Sequence, residues 1–94
     1  MSIHENTREQ IENILTKVFS PSKLIVHDDS AAHKNHLAAL ATPKAGHFEV
    51  EMVSAAFSGK SAVERHRMVY KELSSMMDSL IHAISLKLKA PEEK

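Results

Sequence analysis

Hydrophobic and polar positions recur along this chain with two different periods, and the switches between them mark the elements. Thr7 with Gln10 three residues later reads as a capping box, and Ile11, Ile14, Leu15 and Val18 follow at the spacing of one helical face. The pattern predicts a helix over about 7–19, stopped by Ser20 and Pro21, because proline has no amide hydrogen and disfavours helical geometry in the residue before it. Lys23 to His27 (KLIVH) is short and β-branched, as a strand requires. From His47 the period becomes two: Phe48, Val50 and Met52 share one face, and His47, Glu49 and Glu51 the other. Gly59 supplies a turn, and Ser61 with Glu64 forms a second capping box that opens a longer helix over about 61–79. Its predicted buried stripe runs Ala62, His66, Val69, Leu73, Met76 and Leu80. A last alternating run, His82 to Lys89, sets His82 on the same parity as Ile84, Leu86 and Leu88, and Pro91 ends it.

The order helix, strand, strand, turn, helix, strand implies an α+β layer of helices against one three-stranded sheet. Between the first two strands lies a connection, 28–45, that is long for so small a domain. Connections of this length carry function or move, and mobility is the expectation here. Its AAHKNHLAALA portion is rich in helix formers, so a short helix inside it is compatible with the composition.

Composition narrows the chemistry. Ninety-four residues, 43% hydrophobic and 26% charged, describe one soluble globular domain with an ordered core over about 7–90 and no room for a second core. Twelve basic residues balance twelve acidic ones, so a nucleic-acid contact would have to be local. The N-terminus has no charged region followed by an apolar run, and no segment approaches the ~20 apolar residues of a membrane span, which makes a cytoplasmic protein the expectation. With seven histidines and no cysteine, imidazole and carboxylate are the metal donors available.

No nucleophile motif, phosphate-loop spacing or catalytic carboxylate pair is present, so the expectation is a protein that is not an enzyme. Read from its residues alone, His82 is a partly buried, satisfied histidine at a strand end. His66 reads as a core histidine bonded to backbone, and His47 as an exposed residue of the polar strand face. His33 and His36, at i and i+3, give a weak zinc-like signal, because two ligands do not close a tetrahedral site. Lys60, Arg65, Arg67 and Lys71 could build a basic strip at the helix start, where amide dipoles also favour phosphate.

The string VSAAFSGKSAVERHRMVYKEL followed by IHAISLKLKAP resembles the signature of BolA-like proteins, and HFEVEMVS resembles their second strand. The resemblance covers most of the chain and implies a type II K-homology-like fold, αββααβ, a three-stranded mixed sheet with helices packed on one face and an extra helical turn around 55–57. It also implies a monothiol glutaredoxin as partner and a [2Fe-2S] cluster shared with that glutaredoxin and glutathione, with no cofactor in the isolated chain, which is expected as a monomer or weak homodimer. Carried over by position, the ligand before the last strand is His82 and the loop ligand His33, with His36 close enough to compete. The family is linked to iron-sulfur trafficking, iron sensing and transcriptional control under stress, so the rival reading is a DNA-binding regulator. Against it, the turn FSGKS has only Gly59 where K-homology domains use a GxxG clamp.

Overall fold

The chain begins with helix α1, Ile3–Phe19. In this computed structural model, residues 3–28, 46–77 and 79–93 are described. The predicted 28–45 connection, with its possible short helix and its mobility, therefore lies almost wholly outside the described residues, as do His33 and His36.

Along α1 the buried positions are Thr7, Ile11, Leu15 and Phe19, a stripe in steps of four, whereas Val18 is 45% exposed. Thr7 is thus an interior position of the helix and not its cap, and Val18 lies on the solvent side. The helix ends where Ser20 takes the left-handed conformation, φ 43°, with its amide donating to Thr16 O at 3.1 Å. The Ser54 hydroxyl donates to Phe19 O at 2.7 Å, which satisfies a carbonyl that the helix leaves unpaired.

Strand β1 covers Lys23–Asp28 and β2 covers Gly46–Val53, and they pair antiparallel with Val26 opposite Val50. A 3-10 turn, Ala55–Phe57, leads to helix α2, Ala62–Leu73, and then to β3, Ile81–Lys89. β3 runs parallel to β2, and the sheet order is β1-β2-β3. A parallel neighbour needs a crossover, and the turn with α2 provides it. The element order is that of the αββααβ fold, with the 3-10 turn as its middle helical element.

Ser61 caps α2 as its spacing predicts: its hydroxyl accepts from the Glu64 amide at 3.1 Å, and the Glu64 carboxylate accepts from the Ser61 amide at 3.0 Å. Hydrogen bonds from the Ser61 amide first and the Ser61 side chain second hold the Glu64 carboxyl below its ordinary range. The helix stops at Leu73, short of the predicted 79, and its buried side runs Arg65, Val69, Leu73 and then Met76. The stripe is therefore one residue out of phase with the predicted one at its start, where Arg65 and not His66 faces inward. The core between helices and sheet joins Ile11, Leu15 and Phe19 to Phe48, Val50, Met52, Phe57, Val69, Leu73 and Ile81, with the Phe19 and Phe57 ring centres 5.3 Å apart. The opposite face of the sheet, bearing Glu49, Ser85 and Lys87, is left to solvent.

Candidate functional site: a histidine pair at a strand bulge

Entry into β3 determines where His82 points. The Met76 carbonyl accepts from both the Leu80 and Ile81 amides at 2.9 Å, and the Gly46 amide donates to Leu80 O at 3.0 Å. Ile81, fully buried, pairs with Gly46, yet the next aligned pair is His47 with Ala83, so the register shifts and His82 is the extra residue of a β-bulge. An inserted residue reverses the alternation on one side of it. Ile81 and Ile84 can then both turn toward the core while His82 and Ala83 are both exposed. His82 is not the inward residue that its parity with Ile84 predicts.

The bulge brings His82 beside His47, the first residue after Gly46 on β2, with the two ring centres 5.1 Å apart and the rings inclined at 47°. His47 is half-buried, and its register partner Ala83 carries only a methyl group, which leaves room for the His82 ring alongside. Sequence reading treated His47 as an exposed strand residue and did not place it beside His82. Its position on the polar face of the second strand was legible, but pairing it with His82 requires both the parallel register and the bulge. The donors gathered here are imidazoles, a set suited to zinc, copper or iron, and an exposed ring can be offered to a second protein.

The basic residues do not converge on this pair. Lys60, Arg67 and Lys71 are exposed along α2. Arg65 is committed internally: its Nε donates to Lys60 O at 3.0 Å, Nη1 to Leu88 O at 3.1 Å, and Nη1 and Nη2 to the Glu93 carboxylate at 2.6 and 2.7 Å. The Ala90 amide donates to the same carboxylate at 3.0 Å. Held by the guanidinium first and that amide second, the Glu93 carboxyl falls to about 2. Arg65 is thus the anchor of the C-terminal segment on α2, its guanidinium held by acceptors of this same chain. Leu88 lies six residues along β3 from His82, about 20 Å at strand rise, so clamp and histidine pair occupy opposite ends of the strand. His66 is half-buried at the edge of the helix, its Nδ1 donating to Ala62 O at 2.8 Å with Tyr70 alongside.

The topology, with its short middle helix and parallel third strand, defines an α+β protein of K-homology-like architecture, and comparison with known proteins makes the assignment specific. The BolA-like protein family matches residues 15–93, and the chain belongs to that family. It is 36% identical over 90 residues to "Protein BOLA1, chloroplastic" of Arabidopsis thaliana, covering 95% of this chain and 56% of that protein, so it spans little more than half of that relative's length. It is 35% identical over 79 residues to the "DNA-binding transcriptional regulator BolA" of Escherichia coli, covering 84% and 70% of the two chains. The solved BolA domain of SufE1 from Arabidopsis thaliana superposes with a TM-score of 0.80 at 37% identity, covering 94% of this chain and 95% of that one. Among the described residues, no helix is long and apolar enough to cross a membrane.

Proposed function

We propose that this chain is a non-enzymatic cytoplasmic adaptor, monomeric or weakly dimeric alone, that pairs with a monothiol glutaredoxin and contributes imidazole ligands to a shared [2Fe-2S] cluster in iron-sulfur trafficking or iron and stress regulation. The supporting observation is the outward turn of His82 at the bulge. A donor that must meet a cluster held by another protein has to project from the surface on a fixed backbone, and the buried Ile81 beside it provides that anchor. His33 is the proposed loop ligand, with His36 as the alternative. When bound, the cluster supplies a one-electron redox centre, and histidine ligation would tune its potential. The residues of this chain present and orient the donors.

The test is the visible spectrum of a cluster-loaded monothiol glutaredoxin titrated with the protein and with its His82→Ala, His33→Ala and His36→Ala forms. The reading expects the spectral change to vanish in His82→Ala and in one of the loop variants. Equal changes for the wild type and His82→Ala would end it.

A DNA-binding regulator is the second reading, favoured by the name of the Escherichia coli relative and by the exposed Lys60, Arg67 and Lys71 along α2. Three phosphate contacts would lower the binding constant with salt at a log-log slope of about −2.7. A slope near zero in a fluorescence titration would remove this reading.

A further inference from the structure

We propose that His47 and His82 form a two-imidazole site for a single divalent transition-metal ion, of the zinc and copper class, in the isolated chain. An ion bound at ~2.0–2.1 Å by one nitrogen of each of two imidazoles, at a tetrahedral angle, sets the ring centres about 5 Å apart. The observed separation is 5.1 Å, and the 47° tilt leaves the rings unstacked. This spacing follows from the backbone: His47 follows Gly46 at the start of β2, His82 is the bulged residue of β3, and the Gly46–Ile81 pair adjoins both. Two donors on adjacent, hydrogen-bonded strands lose little freedom on chelation, unlike a donor recruited from a long connection.

The remaining coordination positions give the site its character. Among the described residues, no group of three or more histidine, cysteine or acidic side chains gathers that could hold a metal. Two donors leave a tetrahedral ion two further positions for water or other donors, so the affinity of the pair itself is modest and the complex open to ligand exchange. Copper(II) should bind more tightly than zinc, in the usual order for nitrogen donors. The site shares His82 with the cluster reading but does not rest on it, since it requires neither glutaredoxin nor the loop histidines.

The experiment titrates the metal-free 94-residue chain with Zn2+ alone and follows histidine ring resonances by long-range proton–nitrogen NMR. The His47 and His82 rings should shift together with one-to-one stoichiometry. His47→Ala and His82→Ala should each weaken binding by about tenfold or more, because each loses the second donor as an intramolecular ligand. His33→Ala, His36→Ala and His27→Ala should stay within about twofold of the wild type, as residues outside the chelate. Amide spectra check that each variant is folded, and His47→Gln, which keeps a polar side chain of similar reach, repeats the test at that position. Unchanged affinity in a folded His47 variant overturns the proposal, as does a loss in a loop variant equal to that in His82→Ala, or no zinc binding by the wild type. A His47→Ala protein that loses zinc yet still alters the glutaredoxin spectrum supports the two-imidazole site and leaves the cluster reading standing separately.

Discussion

The bulge makes a sharp demand on two adjacent residues: Ile81 should matter for stability and His82 should not. Ile81 has no exposed surface and sits in the core with Leu73 and Met76, so Ile81→Ala removes three carbon groups from a closed site. At about 0.8 kcal/mol per buried methylene the transfer loss is roughly 2.4 kcal/mol. The unfilled cavity raises the total to about 3–4 kcal/mol. His82 is exposed, and truncating it should change stability by no more than about 0.5 kcal/mol. With a urea m-value of about 1.5 kcal/mol/M, Ile81→Ala should lower the unfolding midpoint by roughly 2 M and His82→Ala by less than about 0.3 M. Circular dichroism in a urea series reads both, and Ile81→Val, expected to cost about 1 kcal/mol, covers the case in which the alanine variant does not fold. Had the strand kept simple alternation, the order would be reversed. A His82→Ala loss equal to that of Ile81→Ala would place the imidazole inside the core and refute the outward presentation on which both functional proposals depend.

Glu93 should give the protein an acid-sensitive clamp. Its carboxyl falls from the ordinary 4.5 to about 2 in the folded chain, chiefly through Arg65, so the charged form is favoured by folding. The contribution is complete above pH 4.5 and is lost as the pH falls toward 2. Glu93→Gln should therefore lower the urea midpoint at pH 7, with the gap to the wild type closing by pH 2. A gap of the same size at both values would show that the clamp is not ionic. At the other end of the crossover, Ser61→Ala removes the hydroxyl that accepts from the Glu64 amide. It should cost about 1 kcal/mol in the same assay, whereas Ser61→Asp, which can accept the same bond, should keep most of the stability.

Most local signals read correctly because their causes are local, the exception being the Thr7–Gln10 pattern, which lies inside α1 and does not cap it. A serine three residues before a glutamate, an alternating FEVEM run and a proline after a helix act over a few residues, and α2, β2 and the end of α1 formed where those signals lie. Phase was less legible. The α2 stripe was read through His66, since a charged Arg65 is expected outside. Its partners Leu88 and Glu93 lie 23 and 28 positions away, and only the folded chain supplies them to make that burial tolerable. The long arginine stem also lets the residue pack inward while its charged end reaches the helix edge.

By itself the amino-acid order determined the class of fold and the lack of cysteine ligands in this chain, because short-range periodicity and composition carry those properties; His82 stood out only through the resemblance to a family, and its role is a proposal. Tertiary structure alone decided that His82 faces outward, that His47 stands beside it and that Arg65 serves the C-terminal segment. Each depends on register between strands or on contacts between distant residues, and a single unpaired residue in β3 reverses a side-chain direction that alternation along one strand cannot reveal.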